Sequence, residues 1–350
     1  MMSNLILDNA IMAQSMLERL KAEKKQERVK VWRRIKKYVS LVLSDFGGDI
    51  KSKTKSEKII KQFKHSLKPI FDNEVSDLIA HLKEVSLQLA MIEYASFTQM
   101  FGDDVVNKVD KNSLNSSLQN RPLSLKNWNG PLYLPQFIAA WGALALIQIT
   151  NSVTKTFAEG GSIRSLEGLL YSDEAVGYSV ISKIANDYDS IMSTALQHVQ
   201  SVAATEFYSV NPELVDKEEF AAILDSHTSV VCRSLDGLTY LVGEGPRPPL
   251  HFRCRSRMLP VINKKFITLL NEGQPGSSVY GEETYYQWLS RQTHKRQDII
   301  LGPTRGTLFR DGGLTPEQFA KLQLHKNFKP MTLEEMKKVI PDAFERAGLN

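Results

Sequence analysis

The chain predicts an α+β fold, predominantly helical, in which long N-terminal helices precede a compact C-terminal domain with a small β-hairpin region. Three observations carry this. Apolar residues recur at three- and four-residue steps over two long N-terminal stretches, the period of a helix with one buried face. Helix-type patterns resume after residue 134. A short segment with an Asp-Gly turn and a proline corner then interrupts them, a signal for strands and tight turns.

The elements follow in order. Leu5 to Ser44 and Glu57 to Phe101 read as long helices, separated by the polar stretch DFGGDIKSKTKS. From Asp103 to Gly130 the sequence turns polar and irregular, with KNSLNSSLQNRP expected as an exposed loop and Trp128 near a turn. Helices are expected again over Pro135–Phe157, Ser162–Ser172 and Asp173–Tyr208, and KEEFAAIL reads as a further helix running out at Asp225. The apolar run Phe137–Ile149 is too short to span a bilayer and reads as a buried helix, where Gly142 and several alanines let a neighbour approach closely. In the tail, Thr315-Pro316-Glu317-Gln318 and Thr332-Leu333-Glu334-Glu335 each fit a capping box. The expected organisation is a helical region with a basic face at 1–102, a polar linker at 103–134, a central domain at 135–263 and an extension of short capped helices at 264–350.

The stretch from Asp225 to Pro260 concentrates the chemistry. It holds the only two cysteines, Cys232 and Cys254, together with His227 and His251. RSLDGLTYLV reads as a β-hairpin turning at Asp236-Gly237. Pro246, Pro248 and Pro249 fix φ and deliver His251 and Cys254 to one place, to which the hairpin returns Cys232. Two chemistries use such a cluster. Cys232, His251 and Cys254 can hold a structural zinc ion, with Asp225 or His227 as fourth ligand, because tetrahedral sites accept thiolate, imidazole and carboxylate. Alternatively, Cys254 is a nucleophile paired with His251 or His227 among Arg253, Arg255 and Arg257, as in a zinc- or cysteine-dependent hydrolase. The plain alternative is a pair of small buried hydrophobes beside a hydrogen-bonded core histidine.

These same residues resemble a known family. Asp225-Ser226-His227-Thr228, Cys232, Leu235-Asp236-Gly237 and PPLHFRCRS (Pro248 to Ser256) are similar to the signature of the phage Mu F-like head morphogenesis proteins, also called minor head or minor capsid proteins. In that family a D-x-x-T stretch, a Cys, an L-D-G turn and a P-P-x-H-x-x-C-R motif recur in this order. Many members carry two further cysteines, where this chain has Val230 and Ser256. The likeness continues through Tyr280–Phe319 and upstream to about Pro135, so 135–263 corresponds to the family's head morphogenesis domain. It implies a non-enzymatic virion protein, made in the host cytoplasm and present in several copies in the head near the portal. Its implied partners are portal, major capsid or scaffolding protein.

Composition is that of an ordinary globular chain of 350 residues. Two cysteines make no disulfide framework, which fits a reducing compartment, and the N-terminus lacks the pattern of a signal peptide. The net charge of +5 conceals an asymmetry: Lys21 to Lys37 holds nine Lys/Arg against two Glu, and Lys51 to Lys68 is a second lysine-rich stretch. Lys24, Lys25, Arg28, Arg33, Arg34, Lys36 and Lys37 are therefore expected to bind a partner. The readings are non-specific contact with double-stranded DNA, docking on an acidic portal or capsid surface, or a solvated helix face. No P-loop, dinucleotide fingerprint, H-E-x-x-H helix or nucleophile elbow occurs, and the pairs Asp187/Asp189 and Glu282/Glu283 read as solvated.

Overall fold

The computed structural model describes residues 2–125, 130–171, 179–223, 225–266, 284–325 and 330–349, and leaves out the side chains of 2–11, 14, 25, 26 and 28. Trp128, the start of the helix expected at Asp173, the Glu282/Glu283 pair and the first residues of the Tyr280–Phe319 stretch lie outside the described residues. The chain forms two compact units. One comprises Ile11–Leu89 and Asp110–Val202, the other Met1–Ala10, Ala90–Val109 and Ala203–Asn350. These divisions are discontinuous in sequence, whereas composition alone suggests consecutive segments.

The first unit is helical. It draws on α1 (Met2–Ser44), α2 (Lys53–Phe101), α3 (Lys111–Asn120), α4 (Leu134–Ala158), α5 (Ile163–Tyr171) and α6 (Val180–Ser209). The i, i+4 apolar steps of α1 bury Ile35, Val39 and Leu43, and those of α2 bury Ile59, Phe63 and Leu67. Trp141 of α4 anchors the interior, edge-on to Phe71 at 5.6 Å and to Tyr188 at 4.8 Å. Its indole N–H donates to the Ile184 carbonyl at 3.3 Å. A Cβ at Gly142 would lie 3.3 Å from the Val75 side chain, so the expected close helix approach is present, against α2.

Two expectations change in this unit. KNSLNSSLQN is the helix α3: Asp110 caps it by accepting from the Asn112 and Ser113 N–H groups at 2.9 Å, and Leu114 and Leu118 are buried one turn apart. The helix around Phe137–Ile149 is longer than its most apolar run. At 25 residues, α4 is by length and composition long and apolar enough to cross a membrane, and half of its most apolar window is buried inside the protein.

The second unit is α+β. After α6 the chain forms β1 (Val215–Ala221), α7 (Val230–Leu235), β2 (Thr239–Leu241) and β3 (Arg257–Ile262). The sheet is antiparallel in the order β2-β1-β3, with Glu218 opposite Tyr240 on one side and Pro260 on the other. Among the described residues from 284 onward are six short helices: α8 (Tyr285–Ser290), α9 (His294–Leu301), α10 (Pro303–Asp311), α11 (Pro316–Leu322), α12 (Leu333–Val339) and α13 (Pro341–Arg346). The capping boxes at Thr315 and Thr332 are present, and Thr284 makes a third.

KEEFAAIL was expected as a helix, yet its described residues begin as the central strand β1. The first arm of the expected hairpin is likewise helical, as α7, because Ser229 accepts a hydrogen bond from the Cys232 N–H at 3.2 Å and starts a helix there. The Asp236-Gly237 turn survives this change. Gly237 has φ of +77° and its N–H donates to the Phe220 carbonyl at 2.8 Å, so the turn joins α7 to β2 rather than two strands.

Candidate metal centre

Two local structures deliver the cluster. Cys232 sits in the first turn of α7. His251 and Cys254 lie in the loop that follows the proline corner, where the Cys254 N–H closes a turn onto the His251 carbonyl at 3.2 Å. Both cysteines are free thiols buried against Phe220, Leu235, Leu250 and Met258. The Cys232 Sγ lies 3.3 Å from His251 Nε2 and 3.7 Å from Cys254 Sγ. All three potential ligand atoms fall within 4.8 Å of one another, close enough to hold a metal ion together.

His251 is oriented for this. Its Nδ1 is 2.9 Å from the Phe252 carbonyl, so Nδ1–H donates there and the Nε2 lone pair faces the sulfurs. The electrostatics agree with a site that favours thiolate. A hydrogen bond from Cys232, and then one from His251 when its ring is charged and Nε2 carries a proton, hold the first ionisation of the thiol pair, at Cys254, well below the ordinary thiol value. The Cys254 hydrogen bond, together with burial, then pushes the remaining Cys232 proton up. Beside the cluster is a cavity of about 20 Å³, lined in part by His227, Ser229, His251 and Ser256, with room for one water-sized group.

Other residues expected at the site do different work. Asp225 is outside the converging trio. Its carboxylate accepts from both Arg255 guanidinium nitrogens at 2.7 Å, a contact that holds its carboxyl below the usual range. It also accepts from the His227 N–H at 2.9 Å and the Thr228 hydroxyl at 3.2 Å. The D-x-x-T element is thus a self-bonded loop clamped by Arg255. His227 is exposed and only lines the cavity. Arg255 faces Asp225 rather than the thiols, and Arg253 adopts φ of +57°.

Sequence reasoning missed the residues that hold this region in place. Asp236 accepts from the Ala222 N–H after β1 and the Tyr285 N–H at the start of α8, both at 2.6 Å. A fully buried Glu218 in β1 accepts from Arg247 and from the Gly243 N–H at 3.0 Å, while Arg247 also donates to Thr205 at 3.0 Å. Only the L-D-G turn was a visible signal for the first. Nothing in the spacing of Glu218 and Arg247 marks the second.

The basic residues divide. Lys24 is paired with Glu27 at 2.6 Å, and Lys36 sits over the Tyr171 ring at 5.2 Å. Arg33, Arg34, Lys36 and Lys37 are exposed on α1, and the side chains of Lys25 and Arg28 lie outside the described residues. Comparison with family models, curated proteins and solved structures found no match to this chain.

Proposed function

We propose that this chain is a non-enzymatic structural protein of a phage head, a minor head protein of the Mu F-like kind acting at or near the portal, whose α+β unit is locked by zinc. The observation that carries the reading is the convergence of Cys232, His251 and Cys254, the residues that define the sequence likeness, on one buried point. The separations fit the ion. Zn–S bonds of about 2.3 Å and Zn–N bonds of about 2.0–2.1 Å at tetrahedral angles place two sulfurs about 3.8 Å apart and sulfur from nitrogen about 3.6 Å. The corresponding distances are 3.7 and 3.3 Å.

When bound, zinc supplies a cross-link between α7 and the loop at 250–254. The chain's own residues prepare the place: Phe252 fixes the imidazole tautomer, Ser229 starts the helix that presents Cys232, and the Asp225–Arg255 pair braces the adjoining loop. Each element of the signature therefore has a structural task, which supports assembly over catalysis. The buried thiols and a neighbouring cavity of about 20 Å³ leave little room for a peptide or nucleotide substrate at Cys254.

Mass spectrometry of purified particles tests the assignment. The chain is expected in mature heads together with portal and capsid protein, and its absence from them contradicts the reading. Release with the genome is a corollary, and equal abundance before and after genome release removes it.

A further inference from the structure

The helical unit concentrates positive charge at one end of the α1–α2 hairpin. The two helices fold back on each other, since residues of α1 from Met12 to Glu23 line one groove with His81 and Gln88 of α2, far from the short connection at 45–52. The second half of α1 and the first half of α2 therefore meet at the connecting turn. From Lys30 to Lys68 the sequence holds twelve Lys/Arg against three Asp/Glu, an excess of nine in a chain whose net charge is +5. The remainder of the protein is correspondingly acidic. Of the three acids, Asp49 is taken by Lys51 at 2.7 Å and Glu57 by Lys53 at 3.9 Å.

Ile35, Val39, Ile59 and Phe63 of this region are fully buried, while Tyr38 and Leu41 stay exposed on α1. The cations are left outside. Lys58, Lys61 and Lys64 are exposed on α2 at three-residue steps, Arg33, Arg34 and Lys37 are exposed on α1, and none of these six has an ion pair among the described residues. Steps of three residues place successive lysines about 4.5 Å apart along the helix, so Lys58 to Lys64 extends about 9 Å, flanked by Lys53, which pairs with Glu57, and Lys68, which pairs with Asp72. Mixed-sign surfaces are the norm for soluble proteins, and a long one-sign row raises the energy of the free protein through self-repulsion. A partner that relieves this repulsion must offer closely spaced negative charge. A nucleic-acid duplex does, with one charge per about 1.7 Å of its axis.

We infer that the basic end of the α1–α2 hairpin binds the phosphate backbone of double-stranded nucleic acid without reading its sequence. This rests on the charge distribution alone, and stands whether or not a metal occupies the Cys/His cluster and whether or not the chain is a head protein. The structure also moves the contact surface relative to the sequence expectation: Lys24 is consumed by Glu27, and the α2 lysines join the surface.

The experiment is fluorescence anisotropy of a labelled duplex of about 30 base pairs with the full chain, a length that exceeds the charged row. Neutralising about five phosphates predicts that affinity falls on the order of 10²- to 10³-fold between 50 and 200 mM salt, equally for two unrelated sequences. The triple variant Lys58→Glu, Lys61→Glu, Lys64→Glu, with unchanged helical circular dichroism, is expected to bind at least about tenfold more weakly. Lys321→Glu with Lys337→Glu, in the other unit, is expected to bind normally. Absence of binding at 50 mM salt overturns the inference, as does a triple variant that binds like the parent. Competition supplies a test that needs no variant. Polyglutamate or anionic phospholipid vesicles that displace the labelled duplex as well as unlabelled duplex, at equal charge concentration, show that the surface takes acidic protein or membrane instead.

Discussion

Replacing Arg247 by Met should be among the most damaging single changes in the α+β unit. The Glu218 carboxylate beneath it is fully buried, and the Arg247 side chain is only 13% exposed, so neither charge is well hydrated. In the folded protein the carboxylate has the guanidinium, the Gly243 N–H at 3.0 Å and the Thr205 hydroxyl at 3.5 Å. Removing the guanidinium leaves two neutral donors to hold a full charge away from water. Breaking a buried pair in this way costs about 3–5 kcal/mol, because the surviving charge keeps its desolvation penalty. For a unit of this size, 1 kcal/mol moves the melting temperature by about 2–4 °C, so a fall on the order of 10 °C is expected. The assay is thermal and urea unfolding of the full chain, followed by circular dichroism. Glu218→Gln in the same background should recover part of the loss, with a coupling of at least about 1.5 kcal/mol. A loss below about 1 kcal/mol for Arg247→Met, or simple additivity of the two changes, refutes the view that this pair is a buried electrostatic anchor.

Two carboxyls in the same unit should make its stability depend on pH. Burial pushes Asp236 up to about 6, and burial together with Asp236 pushes Glu219 up to about 7. Both bind protons more tightly when folded than unfolded, so their contribution is complete below about pH 4 and is lost as pH rises through 6 and 7. After allowance for the partial exposure of Glu219, stability should drop by about 2 kcal/mol between pH 5 and pH 8, and Glu219→Gln should flatten the curve. Parallel curves for parent and variant would show that the carboxyl does not titrate in this range. Gly245→Ala tests the turn after β2. The backbone there has φ of +74°, and a Cβ would lie 2.3 Å from the Tyr240 ring, so a loss of at least about 1–2 kcal/mol in urea unfolding is expected, and a neutral result contradicts the packing.

Much of the helical architecture was legible because the physical cause was local. The buried stripes of α1 and α2 are written in their three- and four-residue steps, and the caps at Thr315 and Thr332 in four residues each. The Cys/His cluster was also legible, since prolines and an Asp-Gly turn restrict where its ligands can go. The failures share a different cause. β1 was misread because KEEFAA lacks apolar alternation. The core-facing side carries Glu218, which is tolerable only because Arg247, 29 residues later, folds back onto it. Asp225 was a reasonable ligand by type, but an arginine 30 residues away claims both its oxygens. α7 and α3 were nearer to view: Ser229 and Asp110 are ordinary N-cap residues, outweighed by a turn signal and by a run of polar side chains.

The most direct test of the zinc-locked structural site is metal analysis of the purified full chain together with Cys232→Ser and Cys254→Ser. The expected result is about one zinc per chain in the parent, little in either variant, and a melting temperature lowered by several degrees in both. Metal-free parent protein whose stability is unchanged by either substitution would contradict it.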